Sequence, residues 1–410
     1  MSDLEIRPIA PDELELWSHT VEASFGGALR PEFLELERMV ARPERYLAAF
    51  DGERIVGGNA SVPVDLTVPG GRRVTTCGVN AVGVAPGATR RGISTALMRR
   101  QLEDARERGE PIAILHASEA AIYGRYDFGL ATRNASLTVE AAGAAFARGF
   151  EQRGHVRLVD RAEGIAAYSA SRAAAPDRPG WAGPPERFAE WFVRDMELDD
   201  DFDTEKEPPF YAVHESHSGH VDGAAIYRIK HDWPEERPRN TAVVYDIAAA
   251  TPRAHAEIWR FLLDLDLVAT VKVWNVPIDE PLFRLVREPR ALHMRVRDGL
   301  FLAFVDVPRA LEARSYAGSG AIRIGVTGAF CGWNEGTWEL IVEDGSAACS
   351  RTDAEPELRM SATDLASTYL GDVTFAQLAA ALRVHGSAGA IARADALTAS
   401  TQVPWCWLLV

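Results

Sequence analysis

The stretch covering residues 74–116 limits the possible folds more than any other part of the chain. Residues 74–84 read as a strand that ends in Val82-Gly83-Val84, and Pro86-Gly87 breaks the extended run sharply. A helix is expected from Gly92 to about Arg108, with Gly109 placed to close it. Its apolar residues Ile93, Ala96, Leu97 and Leu102 fall roughly on one face. Residues 111–116 then form a short apolar strand. The whole is a β–loop–α–β unit, around which the rest of a domain has to be arranged.

The flanks of this unit predict an α+β domain. Residues 4–7 read as a strand, and Pro11-Asp12-Glu13 opens a helix with acids in its first turn, where the helix dipole favours them. Residues 46–50 and 55–58 form a hairpin about Asp51-Gly52-Glu53-Arg54, and residues 62–68 a further strand. A second unit begins near Val156. There Val156-Arg157-Leu158-Val159 before a helical start echoes Ile6-Arg7-Pro8-Ile9, and residues 243–265 echo the strand and helix of residues 79–102. The echo carries no Arg-Arg-Gly and no glycine between Tyr245 and Leu265. Either it is a duplicate that has lost its loop, or the similarity is coincidental. Residues 173–185 read as a loop. A third unit starts near Val307, with strands at 322–326 and 337–342 and helices at 361–370 and 374–384, capped by Ser361 or Thr363 and by Thr374. The domains are therefore expected at 1–150, 151–304 and 305–410.

Loop 82–95 carries the first chemical signal. Unpaired N–H groups at a helix start form an anion site, and Gly92 lets a ligand approach the backbone closely. Arg90 and Arg91 add positive charge, and Ser94 and Thr95 are small. The loop is not an ATP-type P-loop, and an ordinary β–α turn with exposed arginines remains the alternative. The second signal is residues 116–129, HASEAAIYGRYDFG, placed after an apolar strand, at the strand end where sheets of this type hold ligands. Tyr123 has the pKa range to protonate a departing thiolate. A half-buried aromatic is the alternative for Tyr123, and a core histidine for His116. The chain closes on VPWCWLLV, an uncharged tail with two tryptophans that is not expected to hang in water.

The formal net charge of −15 disfavours a phosphate-backbone binder. It suits cationic small molecules or basic peptides, or simply an acidic surface. The four cysteines, Cys77, Cys331, Cys349 and Cys406, match neither zinc-site spacing nor a disulfide framework. No metal, nucleic-acid or membrane partner is predicted, and the acidic N-terminus lacks a signal core. A cytoplasmic location is expected.

Val82-x-Val84-x-Pro86 followed by Thr89-Arg90-Arg91-Gly92-Ile93-Ser94 resembles the coenzyme A loop of GNAT acetyltransferases. His116-Ala117-Ser118-Glu119 and Ile122-Tyr123-Gly124-Arg125, with Leu311-Glu312-Ala313-Arg314-Ser315-Tyr316, Tyr369-Leu370-Gly371 and the apolar tail, extend the likeness over essentially the whole chain. Together they resemble the enhanced intracellular survival (Eis) family of N-acetyltransferases. The resemblance implies a GNAT domain, a degenerate GNAT-like domain and a sterol-carrier-protein-like domain, assembled as a homohexamer. It implies acetyl-CoA as donor, bound by Val82, Gly83, Val84, Arg90, Arg91, Gly92, Ile93, Ser94, Thr95, Ser118 and Glu119. It implies Tyr123 as general acid and the α-carboxylate of Val410 as general base, acting on amines of polycationic molecules such as aminoglycosides. The pattern departs at Thr89 and Ser94, which leaves backbone binding intact, and at Val410, where family members have an aromatic residue. The loop after Ser24-Phe25 reads Gly26-Gly27-Ala28 and offers no acid to a cationic substrate. A protein or peptide lysine acetyltransferase and a non-catalytic acyl-CoA or lipid carrier are the competing functions.

Overall fold

The computed structural model describes residues 4–183, 194 and 208–407. Val410 and the last two positions of the loop expected at 173–185 lie outside the described residues. Two compact units form, one from Met1–Arg133, Arg178–Glu186 and Asp298–Val410, the other from Asn134–Asp177 and Arg187–Arg297.

In the first unit the order is β1 (Glu5–Pro8), α1 (Leu14–Ser24), α2 (Pro31–Val40), β2 (Tyr46–Asp51), β3 (Arg54–Thr67), β4 (Arg73–Val84), α3 (Ile93–Glu107) and β5 (Ile112–His116). Strands β1 to β4 pair antiparallel in sequence order, and β5 joins β4 in parallel. Strand Leu300–Phe304 lies beyond β5 and pairs it antiparallel, with Gly129–Leu130 outermost. Helix α3 buries Ile93, Leu97, Met98, Gln101, Leu102 and Ala105, the face the helical period requires. Burying each large aliphatic side chain contributes about 1.5–3 kcal/mol.

One expectation is corrected. The strands expected at 55–58 and 62–68 are a single strand, β3. Gly57 and Gly58 within it serve close packing. A Cβ on Gly58 would lie 2.3 Å from Trp17 Nε1, and one on Gly57 3.0 Å from the Gly83 carbonyl oxygen. The buried Trp17 indole donates from Nε1 to the Leu47 carbonyl at 2.9 Å.

A five-stranded sheet, ordered Ser346–Thr352, Gly336–Glu343, Gly320–Thr327, Leu358–Ser361 and His385–Gly386, completes this unit. Its helix Ala362–Thr368 is capped by Ser361 and helix Phe375–Ala380 by Thr374, as their side chains predict. Arg314 explains the motif around it. Its guanidinium is buried, donates to the Tyr369 carbonyl at 2.5 Å and the Thr398 carbonyl at 2.7 Å, and lies over the Tyr316 ring. That motif holds a domain together.

The second unit is built on a seven-stranded sheet in which Asn240–Ala249 and Val268–Pro277 run parallel, joined through helix Pro252–Leu263. This repeats the β4–α3–β5 plan. Only Ala250 and Thr251 separate strand from helix here, against residues 85–92 in the first unit. The Thr251 side chain accepts the Ala254 N–H, so one helix-start donor is already taken. Glu257 on the same helix is fully buried and accepts the N–H groups of Arg153 at 2.9 Å and Gly154 at 2.8 Å.

Candidate active site

Strands β4 and β5 pair only at Cys77 with Ala113 and Gly78 with Ile114, although β4 runs on to Val84 and β5 to His116. Past Gly78 the two strands separate, which frees the β4 edge that carries Val82, Gly83 and Val84. A β-bulge sits in the same stretch. Gly58 faces Gly83 while Ala60 faces Asn80, so β4 holds one extra residue, and Ala81 there has a φ of +51°. The sequence offers no sign of this bulge, because alanine is not a residue that favours such a conformation. Val82 packs on the cluster of Tyr123, and Val84 on that of Ile93 and Leu97, so their side chains anchor the strand and leave its backbone to face the gap.

The following loop turns through positive φ at Gly87 (+87°), Arg90 (+64°) and Gly92 (+80°). A Cβ at Gly87 or Gly92 would meet nothing within 4 Å, so space is left beside the backbone there. Ala96 is the first helix residue whose N–H bonds back, to the Gly92 carbonyl at 3.0 Å. Among the described residues no backbone carbonyl takes the N–H groups of Ile93, Ser94 and Thr95. Open space, unpaired donors and the exposed Arg90 together suit a pyrophosphate. Two side chains of the loop are engaged elsewhere. Arg91 pairs with Asp51 at 2.9 Å, and Ser94 Oγ lies 3.0 Å from the Tyr126 hydroxyl. Ile93 is buried in the core and can contribute only its N–H.

Ser118 and Glu119 are exposed just past β5, before the single turn Ala120–Tyr123. That turn is far shorter than the helix expected near Ser118. The Tyr123 ring is buried edge-on to Tyr126 at 6.5 Å and to Phe128 at 6.1 Å. Burial, with Tyr126 and Glu119 nearby, raises its phenol above the usual value, so it stays protonated at neutral pH. Burial also pushes the His116 imidazolium down to about 4, which leaves His116 neutral and a poor proton acceptor.

The described part of the C-terminal tail, as far as Trp407, is buried as its apolar composition predicts. Trp405, Cys406 and Trp407 are buried, and the Trp181 ring lies 6.1 Å from Trp405 and 5.9 Å from Trp407. The Trp405 N–H donates to the Pro179 carbonyl at 2.9 Å. A Cβ on Gly180 would be 3.1 Å from the Trp405 backbone and 3.0 Å from Thr132. Thr132 Oγ1 accepts the Leu300 N–H at 2.8 Å, and Leu300 pairs with His116. The tail thus approaches the end of β5.

Known proteins match this arrangement. Models of the acetyltransferase (GNAT) domain match residues 5–131 and 183–302, and a sterol carrier protein domain model matches residues 307–407. An uncharacterised N-acetyltransferase of Streptomyces avermitilis is 36% identical over 98% of both chains. The N-acetyltransferase Eis of Mycobacterium tuberculosis is 32% identical over 88% of both. The crystal structure of Eis1 from Mycobacterium abscessus, at 32% identity, has a TM-score of 0.85 and covers 99% of this chain and 100% of its own. The chain belongs to the Eis family of N-acetyltransferases. It joins two GNAT folds to a sterol-carrier-like domain in an α+β chain. GNAT acetyltransferases use acetyl-CoA, and the residues at the start of α3 fit that donor. Among the described residues of this Eis-family chain, no helix is long and apolar enough to cross a membrane.

Three features of the site have no counterpart in the sequence pattern: Ala81 and its bulge, the bond between Ser94 and Tyr126, and Glu22. The last bears on the missing loop acid. A Cβ at Gly27 would lie 2.9 Å from Glu22 Oε2, so a carboxylate from α1 reaches the loop that has none of its own.

Proposed function

We propose that the chain transfers acetyl directly from acetyl-CoA to primary amines of polycationic small molecules, aminoglycosides among them, in a ternary complex. The observation that carries this reading is the gap between β4 and β5, which opens at the start of α3 and is flanked by Tyr123. Val82, Gly83 and Val84 would align the thioester arm, with backbone N–H groups near Val84 on its carbonyl oxygen. Arg90 to Thr95 would hold the pyrophosphate, with Ser118 and Glu119 alongside. Tyr123 would donate its phenol proton to the leaving thiolate.

Removing the amine proton is the harder step. An ordinary α-carboxyl is about 7 units more acidic than a lysine-type ammonium, roughly 9 kcal/mol uphill. His116, held neutral near a pKa of about 4, offers little more. The Val410 carboxylate is therefore assigned to orient the ammonium and pass its proton through water. Glu22, beside Gly27, supports a cationic acceptor, as does the net charge of −15. Domains divided at 150 and 304, a homohexamer and a cytoplasmic location complete the proposal, supported by the family resemblance.

The test is thiol release from acetyl-CoA with a panel of aminoglycosides, simple polyamines and basic peptides. Tyr123→Phe should keep acetyl-CoA affinity and lose about 10²-fold or more in kcat. Deleting Val410 should also lower turnover sharply. Preference for the basic peptides would favour a lysine acetyltransferase, and a chain that binds acetyl-CoA yet releases no thiol with any amine would refute the proposal.

A further inference from the structure

The turn that follows Tyr123 is gripped by the sterol-carrier-like domain. Thr363 Oγ1 donates to the Gly124 carbonyl at 3.2 Å. The Phe330 N–H donates to Asp127 Oδ2 at 2.7 Å. The Phe330 ring lies edge-on to Tyr126 at 5.2 Å and packs on the cluster that contains Tyr123 and Val82. Arg99 of α3 stacks over Phe330 at 4.3 Å and donates to its carbonyl at 3.1 Å. Arg106, further along α3, lies over Trp333. Tyr126 in turn reaches Ser94 in the first turn of α3.

Segment Phe330–Trp333 therefore touches both halves of the site, the helix whose start suits the pyrophosphate and the turn that carries the proposed acid. Asp127 is costly by itself. It has a φ of +69°, which aspartate tolerates better than most residues, and its carboxyl is buried. The Phe330 N–H from another domain offsets that cost only while the segment is docked.

We infer that Phe330 and Asp127 are positioning residues, through which the sterol-carrier-like domain fixes Tyr123 relative to the acetyl-CoA helix. The inference rests on the assignment of Tyr123 as acid for its effect on turnover, and on the Ser94–Tyr126 bond for its effect on the donor. Small displacements of a reacting group cost up to about 10²-fold in rate, so the effect is measurable without unfolding.

The experiment uses the full chain with Asp127→Ala, Asp127→Asn and Phe330→Ala, reading kcat, acetyl-CoA affinity by calorimetry, and Tm. Asp127→Ala should lose about tenfold or more in kcat with donor affinity within about twofold. Asp127→Asn keeps an oxygen to accept the Phe330 N–H and should recover kcat to within about threefold of the parent. Phe330→Ala should lower kcat and also weaken acetyl-CoA binding about three- to tenfold, because its ring supports Tyr126 against Ser94. The affinity reading does not involve Tyr123, so it stands even if Tyr123→Phe proves active. Unchanged affinity and kcat in Phe330→Ala overturns the inference. So does an Asp127→Asn chain as slow as Asp127→Ala, or a kcat loss that only follows loss of folded protein in Tm.

Discussion

At the scale of single residues, two carboxylates carry consequences that can be measured. Burial raises the Asp127 carboxyl from 3.8 to about 6, and the opposing pull comes from the Phe330 and Cys331 N–H groups. The charged groups of α3 beside that segment are Arg99, Glu103 and Arg106, of which the two arginines lie against Phe330 and Trp333. A raised acid pKa means that the folded state holds the proton more tightly. Its stabilising contribution is complete below about 3.8 and is lost as pH rises through about 6. Asp127→Asn should therefore be more stable than the parent at pH 7.5, by on the order of 1–3 kcal/mol, and no more stable near pH 3.5. Denaturation midpoints at the two pH values check this, and an equal difference at both would contradict it. Glu22 makes the second case. Glu22→Gln should raise KM for a cationic amine about five- to tenfold with kcat nearly unchanged, since the carboxylate lies beside the Gly27 loop and not at Tyr123.

At the scale of elements, the sequence was most legible where pattern and chemistry agreed. The β4–α3–β5 unit could be read because its apolar periodicity, its Pro86-Gly87 break and its Gly109 end all point the same way. The capped helices after Ser361 and Thr374 were legible for similar reasons. The unbroken run of β3 through residues 59–61 was not legible, because nothing local shows what Gly58 packs on. That partner is Trp17, far away in sequence. Gly58→Ala should cost about 1–3 kcal/mol in a chemical denaturation series, since the new methyl would press on a buried indole. The candidate site was legible to the same degree. Tyr123 and the loop stood out by residue type and spacing. The Ala81 bulge and the Asp127–Phe330 contact did not, because one is a backbone geometry and the other joins residues some 200 positions apart.

At the scale of the whole molecule, the two GNAT folds differ at the turn that leads from strand into crossover helix. Among the described residues, the first leaves the N–H groups of Ile93, Ser94 and Thr95 without backbone acceptors. The second shortens its turn to Ala250-Thr251, caps its helix with Thr251 and gives the N–H groups of Arg153 and Gly154 to Glu257. Calorimetric titration with acetyl-CoA should therefore saturate near one equivalent per chain. Saturation at two equivalents would show that the second fold still binds the donor. Glu257 gives the contrast a kinetic sense. An anion that arrives with a substrate must also leave with the product, whereas one supplied by a side chain never dissociates. Under the proposed function the start of α3 serves exchange, whereas the Arg153 and Gly154 N–H groups keep a permanent resident in Glu257.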